Sequence, residues 1–98
     1  MKTEKTANQF QEWFVYIIEC GDKSLYCGIA TDVKARFAVH AAGKGAKYTR
    51  GRGPLVLVWQ TTEALSHGDA LRLERTIKRM TRAQKKKIIG SNQKEPSF

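Results

Sequence analysis

The sequence predicts an α+β domain with the element order β-β-α-β-α-α, and three observations carry that expectation. Two runs rich in aromatic and β-branched residues, WFVYIIEC (13–20) and SLYCGIA (24–30), stand either side of the turn-forming GDKS and make a hairpin. A third run, LVLVWQTT (55–62), has the near-continuous hydrophobicity of a buried strand. Capping residues followed by apolar residues at helical spacing open helices near residues 31, 66 and 81. Helices laid on a small sheet, at least two of whose strands are antiparallel, define the class.

In chain order, residues 1–12 are polar and aperiodic and read as a flexible arm ahead of a single domain at 13–90. The hairpin has two possible registers. If Asp22, Lys23 and Ser24 form a three-residue loop, Gly21 pairs with Leu25, and Tyr16, Tyr26 and Gly28 share one face; a four-residue loop puts the tyrosines on opposite faces. The first register leaves Tyr16 opposite Ala30, four residues or about 13 Å from Tyr26, so a bulge or a substrate group would have to fill the gap.

TDVKARFAVHAAG then offers Thr31 or Asp32 as N-cap, Val33, Phe37, Val39 and Ala41 as apolar positions, and Gly43 as a stop. GKGAKYTRGRGP (43–54) holds four glycines and four basic residues with no acid and reads as a mobile cationic loop. After the third strand, Ser66 with Asp69 forms a capping pattern, and Ala70, Leu73, Ile77 and Met80 recur with one buried helical face. Thr81 with Gln84 repeats the pattern and opens a short helix ending near Gly90, followed by a flexible tail, SNQKEPSF (91–98), too polar to pack.

Ninety-eight residues with 41% hydrophobic content fill one modest core. No stretch approaches the roughly 18–20 apolar residues of a membrane span, and MKTEKTANQFQEW lacks the apolar centre of a signal peptide, so a cytoplasmic location is expected. Cys20 and Cys27 have no third cysteine nearby, and His40 and His67 do not stand at zinc-finger spacing; both thiols read as packed core groups. Walker, HExxH and CxxC motifs are absent.

Eighteen Lys and Arg against nine Asp and Glu give a net charge of +9, which favours polyanions through counterion release. Nucleic acid leads, because no long amphipathic segment suits a membrane surface. The charge is concentrated in two clusters, Lys44, Lys47, Arg50 and Arg52 in the glycine-rich loop and Lys78, Arg79, Arg82, Lys85, Lys86 and Lys87 further on, suited to phosphate contacts. Tyr48 could stack on a base, and Gly28 lets a backbone approach the sheet closely.

Arg36 and His40, four apart, share a helix face, and that helix follows the strand carrying Tyr26. Each candidate also has a plain structural account. The tyrosines could pack with hydroxyls at the rim, Arg36 could be solvated and His40 half exposed. Glu74, the only acid between Ala70 and Gln93, could simply pair with Lys78. Its carboxylate could equally serve as a hard oxygen ligand, since magnesium commonly takes one carboxylate and draws its other ligands from water and substrate phosphate.

The order of these pieces resembles the GIY-YIG nuclease domain. VY (15–16) is similar to the first half of that motif and YCG (26–28) to the second, Arg36 in DVKARF to its helix arginine, and Glu74 in ALRLERTIK to its metal-binding glutamate. LYCGIATDVKARFAVHAAGKGAKYTR (25–50) looks most like the small stand-alone bacterial, YhbQ-like branch. Phe14 stands where the first motif has glycine, Cys27 where the second has isoleucine or valine, and Ile29 where the UvrC-like branch has lysine.

The resemblance implies a three-stranded antiparallel sheet flanked by helices and a metal-dependent phosphodiester hydrolase acting on DNA, with RNA as the second candidate. One Mg2+ or Mn2+ on Glu74, Arg36 on the phosphate, Tyr16 as proton acceptor with Tyr26 beside it, and His40 as the alternative base complete the expectation. A monomer or weak homodimer is expected, with a protein partner or the homodimer itself supplying specificity. A non-catalytic basic nucleic-acid-binding protein is the competing class.

Overall fold

The computed structural model describes residues 11–94, with side chains described as far as Gly90; most of the expected arm and the end of the expected tail lie outside them. Three strands, β1 (Phe14–Glu19), β2 (Leu25–Ala30) and β3 (Val56–Gln60), combine with three helices, α1 (Val33–Ala41), α2 (His67–Lys78) and α3 (Arg82–Lys94), in the order β-β-α-β-α-α. The sheet is antiparallel throughout, in spatial order β2-β1-β3.

Strand alternation divides the core into two layers. Val15 and Ile17 point to one face, where they meet Cys27, Ala70 and Ile77 beneath α2 and α3. Tyr16 and Ile18 point to the other, against Ala30 and Val33 beneath α1. The run 15–18 is buried on every residue because β1 is the central strand with both faces covered.

The third strand corrects the sequence reading. LVLVWQTT reads as a buried strand, yet β3 pairs only with β1 at a sheet edge and none of its residues is buried: Val56 is half exposed and Leu57 to Gln60 are only partly covered. Val58 and Trp59 pack on one core cluster while Leu55 and Leu57 pack on the other. Continuous hydrophobicity here reports two partly covered faces rather than full burial. A register shift between Ile17 and Ile18 takes up one residue of β3.

The hairpin loop has three residues, as in the first register considered, but they are Gly21, Asp22 and Lys23. The Cys20 N–H donates to the Ser24 carbonyl (2.8 Å), Lys23 adopts φ 73, and the Asp22 carboxylate accepts from the Ser24 N–H (3.0 Å) and hydroxyl (2.5 Å). This local carboxylate turn shifts the pairing by one residue on each strand. Tyr16 therefore stands opposite Gly28, not Ala30, and Tyr26 is only two residues away on the same face.

Asp32 caps α1, accepting from the Ala35 N–H at 3.1 Å. Its inward positions are Val33, Phe37 and His40, at i, i+4 and i+7, whereas Val39 is exposed (37%) and Ala41 faces solvent. The apolar pattern found Val33 and Phe37 but misplaced Val39 and Ala41, because the third inward position is polar. Ser66 caps α2 by accepting from the Asp69 N–H (3.0 Å), and Thr81 and Gln84 make reciprocal bonds of 2.9 and 3.2 Å at the start of α3. Ile88 and Ile89 pack on the core and carry α3 past Gly90, its expected end, to Lys94. Cys20 and Cys27 are free, buried thiols. Among the described residues no helix is long and apolar enough to cross a membrane.

Candidate active site

Tyr16 sits in mid-β1, 1% exposed, and its side chain lies across β2 at Gly28. A Cβ on Gly28 would stand 2.5 Å from the Tyr16 hydroxyl and 2.7 Å from Cζ, so the phenol occupies the space that any other residue would fill. Across that space Tyr16 Oη meets His40 Nε2 at 2.9 Å. His40 is itself 1% exposed, far from the half-exposed state considered for it.

Residues 43–54, read as a mobile loop, form a strap bound to His40. A single 3-10 turn at Lys47–Thr49 buries Thr49. The Ala46 N–H donates to His40 Nδ1 (3.2 Å), Thr49 Oγ1 lies 3.1 Å from the same nitrogen, and the Thr49 hydroxyl also lies 2.9 Å from the Ala46 carbonyl. Gly45 is needed there, because a Cβ would collide with the imidazole. At the far end, the Gly21 N–H donates to the Arg52 carbonyl (2.5 Å), and the Arg52 guanidinium pairs with Asp22 (2.6 Å). The loop composition showed charge and glycine but not this polar anchoring.

Tyr26 closes the cluster, its ring 6.4 Å from Tyr16 and 5.3 Å, edge on, from His40. Arg36, one turn before His40 and exposed on α1, places its charge near Tyr16, Tyr26 and His40. Glu74 and Lys78 belong to the opposite layer but reach the site because β2 is a sheet edge. Lys78 Nζ lies 5.9 Å from the Tyr26 ring centroid and 3.4 Å from Glu74 Oε2, so the plain i, i+4 pair is also made. Tyr16, Tyr26, Arg36, His40 and Glu74 thus converge on one edge of the sheet.

Burial dominates the acid–base behaviour. It pushes the Tyr16 phenol from 10.0 up to about 12, with Tyr26 adding to the rise and Arg36 opposing it. Tyr26 is raised by burial and by Glu74 against the pull of Lys78 and Arg36. His40 is lowered by burial and then by Arg36, so the imidazole is neutral near pH 7. Cys27 faces α2 and rises to about 12 through burial and Glu74, leaving it a protonated thiol.

The cationic residues divide by place. Lys78 and Lys85 line an open groove with Leu25, Tyr26, Cys27 and Tyr48. Lys44, Lys47 and Arg50 are exposed on the strap, and Arg79, Arg82 and Lys87 on and before α3, while Lys86 lines a different groove beside Glu19. Tyr48 lies nearly parallel to Tyr26 at 6.0 Å, with the Arg52 guanidinium 4.2 Å from its centroid. Arg52 is therefore committed to Asp22 and Tyr48, a role that its position in a basic run did not suggest.

Among the described residues no three or more His, Cys, Asp or Glu side chains converge as a metal cage. The carboxylate whose charge reaches Tyr26 is that of Glu74, 18% exposed and held by Lys78 only at 3.4 Å. That fits a hard divalent cation that takes one protein carboxylate and fills its other positions with water and phosphate oxygen, and it does not fit zinc.

A three-stranded sheet with paired tyrosines facing a helix Arg and His, and a glutamate reaching round the sheet edge, defines a class. The family model of the GIY-YIG catalytic domain matches residues 12–87, and the chain belongs to that nuclease-type family. Within it the chain groups with small bacterial UPF0213 proteins. It is 46% identical over 87 residues to one from Vibrio cholerae serotype O1, covering 89% of this chain and 86% of that one. A UPF0213 protein of Staphylococcus haemolyticus is 53% identical over 76 residues, covering 78% and 92%. The solution NMR structure of a UPF0213 protein from Bacillus halodurans superposes with a TM-score of 0.51 at 46% identity over 81% of this chain and 83% of that one. A protein from E. faecalis does so with a TM-score of 0.57 at 28% identity over 84% and 86%.

Proposed function

We propose that this protein is a metal-dependent nuclease that hydrolyses phosphodiester bonds in DNA, with RNA the second candidate substrate. The observation that carries this reading is the Tyr16–His40 hydrogen bond, buried beside Tyr26, with Arg36 and Glu74 presented at the same sheet edge.

Hydrolysis needs a proton acceptor for the attacking water, positive charge where the phosphate oxygens gain electrons, and an open path for a backbone. Tyr16 takes the proton of the water. His40 is a poor base in this setting, since Nδ1 accepts from the Ala46 N–H and Nε2 is engaged with Tyr16. A phenol near 12 is ionised in only about one molecule in 10⁵ at pH 7, so the reaction requires more positive charge than the free protein supplies. Arg36 provides part of it and grips the phosphate through its planar fork. A magnesium or manganese ion held by Glu74 would supply Lewis-acid charge at the scissile phosphate. The groove beside Tyr26, with Lys78 and Lys85, receives the adjoining backbone.

The test is cleavage of labelled single-stranded, duplex and branched DNA, and of RNA, by purified protein with Mg2+ or Mn2+. Glu74→Gln and Arg36→Ala are expected to lower turnover by about 10²-fold or more with nucleic-acid affinity little changed, because both act on charge that develops in the transition state. The rise of the Tyr16 phenol, which makes its phenolate harder to form, favours a second reading, a non-catalytic nucleic-acid binder. Salt-dependent binding without cleavage, indifferent to both substitutions, would establish it.

A further inference from the structure

The strap does more than cover the site, because its contacts dictate where the proton on His40 resides. A backbone N–H can only donate, so the bond from Ala46 to His40 Nδ1 (3.2 Å) requires a lone pair on that nitrogen. A proton on Nδ1, in either the other neutral tautomer or the imidazolium, would meet the Ala46 N–H head on in a site 1% exposed. The Thr49 hydroxyl, 3.1 Å from Nδ1 and 2.9 Å from the Ala46 carbonyl, is placed to donate to either acceptor and ties the turn to the ring. With Nδ1 filled, the single ring proton belongs on Nε2, and the 2.9 Å contact becomes a bond from His40 Nε2–H to Tyr16 Oη.

We propose that Ala46 and Thr49 are positioning groups that lock His40 as the neutral Nε2–H tautomer, making it a fixed hydrogen-bond donor to the Tyr16 oxygen. The catalytic part of this inference rests on the reading of Tyr16 as the proton acceptor. The lock gives His40 a definite role. A donor aimed at the phenol oxygen favours the phenolate over the phenol and leaves the tyrosine's own proton directed away from His40. Gly45 belongs to the same device, since its missing Cβ lets the Ala46 amide come within reach of the imidazole. The titratable and charged groups that face the ring are Tyr16 from β1, Tyr26 from β2 and Arg36 from its own helix; no acid is among those shown to act on it.

Nitrogen-15 histidine labelling of the full chain, read by two-bond proton–nitrogen correlation, reports the tautomer directly. Wild-type His40 is expected as Nε2–H from neutral pH upward, with protonation displaced to acid of the ordinary imidazole value. Thr49→Val is isosteric and removes only the hydroxyl; Gly45→Ala pushes the strap away. Both should yield a mixed tautomer and bring the His40 midpoint back toward the ordinary imidazole value. In the cleavage assay kcat should fall by about 10- to 100-fold, with KM nearly constant. Thr49→Ser should restore ring signature and turnover. A wild-type ring protonated on Nδ1, or a Thr49→Val protein with unchanged tautomer and kcat, would overturn the proposal. Wild-type protein that cleaves nothing, but whose ring reads Nε2–H and shifts in both variants, would support the lock and defeat the nuclease reading.

Discussion

Replacing Gly28 by alanine tests whether the phenol of Tyr16 depends on bare backbone beneath it. The added methyl would sit 2.5 Å from Tyr16 Oη and 3.2 Å from Tyr26 Cε2, whereas ordinary contact begins near 3.4 Å. Relieving the first overlap moves the hydroxyl by about 0.9 Å, on the side of the ring that bonds His40 at 2.9 Å. Overpacking of this kind costs roughly 1–3 kcal/mol, and each 1 kcal/mol lowers the Tm of a domain this size by about 4–8 °C. A displacement near 1 Å at a reacting group costs about 10²-fold in turnover. Thermal unfolding and single-turnover cleavage measure the two effects separately. Gly90→Ala is the control: its Cβ meets nothing within 4 Å in α3, so up to about 1 kcal/mol of added stability and full activity are expected. A Gly28→Ala protein with wild-type Tm and turnover would refute the placement of Tyr16 against β2.

Tyr16→Phe should leave the His40 Nε2 group unpaired in a buried site, costing about 1–3 kcal/mol in urea unfolding and at least about 10²-fold in kcat. At alkaline pH, the native state holds the protons of Cys27 (raised from 9.0 to about 12) and Tyr16 (from 10.0 to about 12) more tightly than the unfolded chain does. Their contribution is complete below pH 9 and is lost as pH rises toward 12, which urea midpoints would record. His40 is lowered, so its contribution is present above pH 6.5 and is lost as pH falls below that value. Lys23→Gly should add about 1 kcal/mol by relieving a lysine at φ 73, without touching activity; a loss of stability in urea would contradict the turn geometry.

Local signals were legible where a residue acts on its own neighbours. The caps at Asp32, Ser66 and Thr81–Gln84 follow from side chains bonding backbone three residues on, and the helices begin where those residues stand. The gathering of Tyr16, Tyr26, Arg36, His40 and Glu74 was suggested by resemblance, while their geometry was not readable. Hairpin register turned on whether Ser24 belonged to the loop or closed it, a choice made by the Asp22 carboxylate and invisible to strand propensity. The strap's anchoring escaped notice because its buried anchor, Thr49, has no charge, and its closest approach is made by the backbone of Ala46, which no side-chain pattern displays. β3 misled because apolar residues on both faces of an edge strand can pack on the core and still stay partly exposed.

The two partners in the Tyr16–His40 bond are held by parts of the molecule that should open on different timescales. Tyr16 lies in the strand paired on both sides, where amide protons exchange with solvent only through unfolding of the whole domain. The imidazole opposite is held through Nδ1 by a surface segment fastened by the Ala46 and Thr49 contacts and, towards its far end, by the Arg52–Asp22 pair. Deuterium uptake should therefore be slow at Ile17 and much faster at Ala46, with a fraction of molecules at any moment having the phenol in place but the imidazole uncovered. Measured turnover would then carry the closure equilibrium of twelve residues that perform no chemistry themselves, and cooling or osmolytes that favour the closed strap would raise activity without any change in the central strand.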